Sequence, residues 1–530
     1  MGRFRARTVV VTAALVAGVV LSLRGQTRDT ARLYIHNIGL PAIEQGVIGG
    51  ESHAPGTVET IRRAAIQQAL VRERMGVSGG RYIPGRILVK FRAAASDADR
   101  QSAMRSISTS AVMTARLSYA DFDVVRIDLG EDAEAAAAAL RLRPDVEYAQ
   151  ASYRMHTMFK PNDPLYETLQ WNLPLINMEQ AWDIQPQAGS SITVAVLDSG
   201  MAYKNATFSA TIPAFRDENG RLYPRLGLVT IPYSAAPQLV GGTFSGRIVS
   251  PHDFIWDDDE PLDFDGHGTH VSGTIGQLTN DGIGTAGVAF NVKLMPVKVI
   301  ANEWDFLFGS PHSGSDEDVA RGIRYAADNG ARIINMSIGR TGPPDTAPAV
   351  ESAITYAVGK GVFIAISAGN DFEKGNPKEV IAEIASRVQG AVSVAAVDRS
   401  RAHAYYSATA SWVELAAPGG SERGFGSQGF IRQQTFDFNF TETFLLPPAQ
   451  FRAPRFDVFG YIGYIGTSMA APHVAGVAAM LMQQGITDPA AIEDALEKSA
   501  VDLGAKGRDD VFGFGLVDAR AALRGLGLAK

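Results

Sequence analysis

Four short stretches of this chain hold side chains whose types suit acyl chemistry. Ser468 lies in Gly466-Thr467-Ser468-Met469-Ala470-Ala471-Pro472-His473-Val474-Ala475-Gly476, where a turn on Gly466 gives way to a small-residue run, Met469–Leu481, that reads as a tightly packed helix despite Pro472. A serine there stands at a helix N-terminus, where unpaired N–H groups and the helix dipole favour an oxyanion. His267 lies in Asp265-Gly266-His267-Gly268-Thr269-His270-Val271, between glycines that permit close backbone approach and leave the imidazole uncrowded. Asp198, in Asp198-Ser199-Gly200, ends the apolar run Ile192–Leu197, and Asn370 follows the run Val362–Ser367 through Ala368-Gly369.

Each residue alone has an ordinary explanation: a helix cap, a helix-start histidine, and turn residues for Asp198 and Asn370. That all four fall at switches between strand, loop and helix favours the chemical one. Serine is a poor nucleophile at neutral pH and needs His267 to take its proton. His267 in turn needs Asp198 to fix its tautomer and stabilise the imidazolium. Asn370 and the N–H of Ser468 would form the oxyanion hole. The order Asp, His, Ser differs from that of chymotrypsin and of α/β-hydrolases and is the subtilisin order.

The elements that must position these residues alternate strand and helix after Pro161. Ile192–Leu197, Lys293–Ile300, Arg332–Ile338, Val362–Ser367 and Ala391–Val397 are unbroken apolar runs, as strands buried on both faces of a parallel sheet require. Val271–Leu278, Asp318–Asn329, Ala347–Gly359 and Pro377–Val388 read as helices, with Asp318 and Asp488 as N-caps and Gly330 and Gly361 as C-terminal stops. The expected fold is α/β, a doubly wound, mainly parallel sheet with helices on both faces, whose sites lie beyond the strands' carboxyl ends. Two stretches, about 201–262 and 420–464, read as long irregular insertions. A small α+β unit precedes this domain. Arg86–Phe91, Asp123–Asp128 and Pro144–Ala149 read as its strands, and Asp97–Ile107 and Ala133–Leu142 as its helices.

With 530 residues, 46% hydrophobic and 20% charged, the chain can bury a large core and is not disordered overall. A net charge of −7 argues against nucleic acid as a partner. The absence of cysteine removes disulfides, thiolate chemistry and Cys-ligated zinc. Arg3, Arg5 and Arg7 precede an uncharged run, Thr8–Leu23, which marks 1–26 as an export signal, or as a membrane anchor if left uncleaved. Residues 27–79 hold one helical pattern, Val58–Met75, and no visible chemistry.

The motifs around Asp198, His267, Asn370 and Ser468 resemble those of subtilisin-like serine proteases, the subtilase family (peptidase S8), over about Pro161 to Leu523, including Gly513-Phe514-Gly515-Leu516-Val517-Asp518-Ala519. The resemblance implies a secreted or cell-envelope serine endopeptidase without a catalytic cofactor, acting on extended protein or peptide substrates. It makes 80–158 a propeptide that chaperones and inhibits, self-cleaved near Met158–Phe159, and 159–530 the catalytic domain. It places substrate against Asn335-Met336-Ser337-Ile338-Gly339, read as an edge strand. Ser337, Ile338, Gly339, Ala368 and Gly369 are then the substrate-binding residues. An apolar P1 side chain is the default, with Asp371 as the group that would instead favour a basic one. Asn280–Ala289 is similar to the loop that binds structural calcium in many members, with a metal-free Gly-rich turn as the alternative. Asp257–Glu260 reads as a solvated acidic loop, His473 as structural, and His270 has no evident task. Two other readings remain: a catalytically silent subtilase-fold binding scaffold, and a serine esterase, which would call for a G-x-S-x-G elbow that Ser468 lacks.

Overall fold

The computed structural model describes residues 82–114, 116–153, 159–217, 219–241, 246–343 and 346–524. The segments 1–26 and 27–79, with the Val58–Met75 pattern, and Met158 of the expected cleavage bond fall outside them. The described chain forms two compact units that part between Tyr153 and Phe159.

The first unit runs β1 (Tyr82–Phe91), α1 (Asp97–Ile107), β2 (Val112–Met113), β3 (Asp123–Arg126), α2 (Ala133–Arg141) and β4 (Val146–Tyr153), in an antiparallel sheet of order β2-β3-β1-β4. Ile87, Val89 and Phe91 of β1 alternate with Arg86, Leu88 and Lys90, so one face packs with Val125, Leu140 and Val146 while the other stays wetter. Ser96 starts α1: its hydroxyl accepts the Asp99 N–H while the Asp99 carboxylate accepts the Ser96 N–H. β2, at two residues, is too short to be read from alternation.

The second unit holds a seven-stranded parallel sheet. Its strands are β5 (Thr193–Asp198), β8 (His252–Asp253), β9 (Lys293–Lys298), β10 (Ile333–Met336), β11 (Phe363–Ser367), β12 (Ala391–Val397) and β13 (Leu415–Pro418), in the order β8-β9-β5-β10-β11-β12-β13. Every residue of β10, β11 and β12 is buried, which is why these segments read as unbroken apolar runs. The chain reverses direction across the sheet at β5, so a crevice opens beyond its carboxyl end, where Asp198 stands.

Helices α3 (His267–Gly276), α4 (Asp316–Asp328), α5 (Pro348–Gly359), α6 (Val380–Ala385), α7 (Thr467–Gln483) and α8 (Pro489–Ser499) cover the sheet. α7 packs on β10, β11, β12, β13 and α3, and every residue from Met469 to Met482 is buried. A helix that is apolar and small all round lets the strand ends come close to it.

Three boundaries differ from expectation. α3 starts at His267, not Val271, because the Asp265 carboxylate accepts the His267 N–H and that of Asp263 accepts the Thr269 N–H, satisfying the first turn. α4 is capped by Ser315, whose hydroxyl accepts the Asp318 N–H, so Asp318 is the third helical residue and not the cap. α6 shrinks to Val380–Ala385. Asp488 caps α8 as anticipated, through the Ala490 N–H.

The two insertions are not irregular. The first contains a hairpin of β6 (Ala206–Ile212) and β7 (Leu226–Tyr233), the second a hairpin of β14 (Ile431–Phe436) and β15 (Phe459–Tyr464). β14 hides from a hydropathy reading because it buries Gln433, Gln434 and Thr435. Their polar groups are matched, as burial demands. Gln433 bonds Thr285 and the Ala286 carbonyl, Gln434 bonds Gln238 and Gln277, and the Thr435 hydroxyl donates to the Gly266 carbonyl at 2.6 Å.

Candidate active site

Asp198 ends β5 fully buried. Its Oδ1 accepts the Nδ1 proton of His267 at 2.7 Å and the Ser199 N–H at 2.8 Å. A carboxylate here can only accept, so Nδ1 carries the proton and the neutral ring presents Nε2 as its basic atom. Gly268 makes the approach possible: a Cβ there would stand 2.2 Å from the Gly200 carbonyl oxygen. Burial alone disfavours the His267 imidazolium, but the Asp198 carboxylate, with Asp265 and Asp263 behind it, reverses that and holds the pKa above the ordinary histidine value.

Asp263, which the sequence reading passed over, organises this loop. Its Oδ1 accepts from the Ser199 hydroxyl and the N–H groups of Asp265 and Gly266, and its Oδ2 from the Thr269 N–H and hydroxyl. Ser199 then accepts the Gly268 N–H at 3.0 Å, tying the Asp198 turn to the His267 helix. Two carboxylates just upstream of a helix start were the available sequence signal.

Ser468 is the second residue of α7. Pro472 has no N–H for the Ser468 carbonyl, and the Ser337 hydroxyl donates to that carbonyl instead, at 2.7 Å. The Ser468 hydroxyl donates to the Ser337 carbonyl at 3.1 Å rather than to the imidazole. Substrate arrival would have to redirect it, since such bonds tighten in the reacting complex. On the other side, Asn370 Oδ1 accepts the Thr467 N–H at 2.8 Å and its hydroxyl at 3.0 Å. A backbone N–H requires an oxygen facing it, so the Asn370 Nδ2 donor is turned away from Thr467. His267, Asn370 and Ser468 line one cavity of about 490 Å³ with Glu422, Phe430 and Tyr464.

Asn335 and Met336 are paired on both sides, to β5 and to β11, so this segment is not an edge strand. Only Ser337, Ile338 and Gly339 run past the sheet. Gly339 is exposed beside the buried Ser337 and Ile338, while Ala368 is buried and Gly369 half-buried at the corresponding end of β11. Asp371 pairs with Lys374 at 2.8 Å.

His270 gains a task. Its Nε2 donates to the carbonyls of Ile431 and Ile462, and its ring stacks on Tyr464 at 4.3 Å. Burial keeps it neutral, with its pKa lowered to about 3. The β14–β15 hairpin is thereby a wall for the histidine-bearing helix. His473 is structural: Nδ1 donates to the Met469 carbonyl and Nε2 accepts from Asn172. The Asp257–Glu260 carboxylates are surface groups, with Asp257, Asp259 and Glu260 paired to Arg321, His252 and Lys204.

At the Asn280–Ala289 loop, the N–H of Asn280 bonds Oδ2 of the buried Asp163 at 2.7 Å, and Asn162 bonds Gly282 and the Asn280 side chain. Asp163 Oδ1 is buried without a hydrogen-bond partner. An orphaned carboxylate oxygen beside Asn280 and Asp281 suits a hard divalent cation.

Residues 189–515 match the family profile described as Subtilase family, and residues 71–152 match the Fervidolysin N-terminal prodomain. The Thermophilic serine proteinase of Bacillus sp. (strain AK1) is 28% identical over 79% of this chain and 83% of its own length. Alkaline elastase YaB of Bacillus sp. (strain YaB) is 30% identical over 73% of this chain and 76% of its own. The Extracellular protease of Xanthomonas campestris pv. campestris is 28% identical over 71% and 60% respectively.

Proposed function

The chain belongs to the subtilase family of serine proteases, and from that premise we propose that it is an exported endopeptidase, made as a self-processed zymogen, that works through an acyl-enzyme on Ser468. The observation that carries this is the 2.7 Å bond from His267 to Asp198 on a ring that shares a cavity with Ser468 and Asn370. His267 Nε2 takes the hydroxyl proton as Ser468 Oγ attacks the scissile carbonyl. Asn370 Nδ2 and the Ser468 N–H hold the oxyanion. The imidazolium then returns the proton to the leaving amine, and water, activated by the same ring, releases the acyl group. Substrate backbone would lie along Ser337, Ile338 and Gly339, with the P1 side chain entering between that segment and Ala368-Gly369.

A fluorophosphonate probe is expected to label Ser468 after propeptide removal. Labelling needs neutral His267. Because the Asp198 partnership raises the folded pKa, the neutral fraction is lost as pH falls through a value above the ordinary 6.5. The acid limb of the labelling rate therefore falls on the alkaline side of 6.5. No labelling would leave the silent-scaffold reading standing, and a limb at or below 6.5 would contradict the histidine's assigned environment.

Residues 80–158 serve in this reading as propeptide and intramolecular inhibitor, and 159–530 as catalytic domain. Cleavage at Met158–Phe159 is supported by the anchoring of Phe159: its N–H bonds Asp183 at 2.7 Å and its ring packs on Trp182 and Phe290. Freed as an α-ammonium, that nitrogen would gain an ion pair. Export is supported by the charged and apolar N-terminal pattern. Among the described residues no helix is long and apolar enough to cross a membrane.

Asp163, Asn280 and Asp281 would hold a structural calcium ion, which takes no part in the chemistry. Millimolar EDTA is then expected to lower Tm, and calcium to restore it, since a ligand at a hundred times its Kd stabilises by about 2.7 kcal/mol. Asp163→Asn should abolish the difference. Identical melting curves with and without chelator would remove the site.

A further inference from the structure

Glu379 immediately precedes α6 and makes no capping bond to it. Its side chain lies instead against Gly339 and Gly369, at the ends of β10 and β11. A Cβ added to Gly339 would stand 2.9 Å from Glu379 Oε2, and one added to Gly369 would stand 2.3 Å from its Cγ and 3.0 Å from its Oε1. The residue is 7% exposed, and Oε2 is buried with no hydrogen-bond partner.

The cations nearby in sequence are engaged elsewhere: Lys374 with Asp371, Lys378 with Glu383, and Arg340 with Asp316. Asp371 adds negative charge to the same region. Burial, with Asp371, raises the Glu379 pKa to about 7, as expected of a carboxylate lacking a counterion. An unpaired carboxylate in such a place is costly unless something completes it. Segment 337–339 leads from the carbonyl that receives the Ser468 hydroxyl, and Gly369 adjoins Asn370. A side chain entering between them from an acyl group on Ser468 meets this carboxylate.

We propose that Glu379 is a specificity-determining residue that selects a cationic P1 side chain, lysine or arginine, in place of the apolar P1 expected by default. This rests on the serine endopeptidase reading above. Self-cleavage at Met158–Phe159 is not a test of it, because tethering supplies a high effective concentration that overrides side-chain preference. Preference is read on peptides in trans.

The test compares kcat/KM of the processed enzyme on tetrapeptide nitroanilides that differ only at P1: Lys, Arg, Gln, Leu and Phe. Lys and Arg are expected to lead. Glu379→Gln, which keeps shape and removes charge, should reduce the Lys-to-Phe ratio by about 30- to 4,000-fold, the scale for losing one partner of a buried charge pair. The ratio is internal to each variant, so partial misfolding does not mimic the effect. Wild-type enzyme alone gives a second measurement: benzamidine should inhibit competitively while neutral benzamide does not. Enzyme that favours Phe or Leu, and of which a separate sample takes the fluorophosphonate label, or a Glu379→Gln ratio equal to wild type, overturns the role of Glu379 and leaves the protease reading intact. Preference for Gln would show the carboxyl acting protonated and would likewise overturn the cationic assignment. Failure to label, together with failure to cleave any of the five peptides, would remove both readings together.

Discussion

Ser468→Ala is expected to lower peptide hydrolysis by about 10⁴-fold or more and to leave the propeptide attached. The size follows from what the change removes. Asn370, the Thr467 arrangement and the oxyanion-forming helix start all survive, so substrate still binds, but no oxygen remains for His267 to activate. Alanine fits the site, since Ser468 is only half-buried and its hydroxyl is spent on the Ser337 carbonyl. The reciprocal bond from the Ser337 hydroxyl to the Ser468 carbonyl is backbone-directed at that end and persists. Purified variant chain should therefore fold, run at full precursor length on a gel and show no casein hydrolysis. A variant that matured and cleaved casein would defeat the acyl-enzyme assignment.

Asp263→Ala is expected to destabilise the fold by about 3–5 kcal/mol, the sum of several unmatched buried donors less relaxation, and to lose activity even where folding persists. The carboxylate receives five hydrogen bonds in a place with no exposure to water. Its removal leaves buried donors of Ser199, Asp265, Gly266 and Thr269 unmatched, each a desolvated group that costs about 1–3 kcal/mol when no water can reach it. Relaxation recovers part of that sum. The same donors hold the Asp198 turn against the start of α3, so the His267–Asp198 distance should loosen with them. Urea unfolding together with fluorophosphonate labelling of the folded fraction measures both effects. Wild-type stability with normal labelling would show that the loop is positioned some other way.

Much of this site was legible because its residues interrupt strong local patterns. Asp198 and Asn370 stand where buried apolar strands of a parallel sheet stop, which brings them to one side of it, and Ser468 stands where the buried run of α7 begins. Sheet composition, the α7 run and the Ser468 helix start follow from apolar and small residues that have no other way to avoid water. Gly268 was readable as a close approach, although only the Gly200 carbonyl shows what approaches. The misplaced start of α3 and the wrong cap of α4 share a cause. Helix ends are decided by which of several nearby Ser, Asp or Gly groups reaches the free N–H, and sequence spacing offers more than one candidate.

What the sequence alone determined was the family, the parallel α/β plan and the placement of Asp198, His267, Asn370 and Ser468 at the ends of their elements, since all of these rest on contiguous runs and on motifs with a local physical meaning. What only the tertiary structure decided were relations between distant segments. The hairpin formed by Ile431–Phe436 and Phe459–Tyr464 became a wall of the histidine helix because its buried glutamines and threonine find partners some 150 residues away, which no hydropathy pattern encodes. Pro472 fits inside a helix because Ser337 takes the carbonyl it frees. Glu379 lies against both Gly339 and Gly369 because β10 and β11 lie side by side. Burial and pairing of a polar group depend on what the fold brings to it, and that is absent from any stretch of chain read by itself.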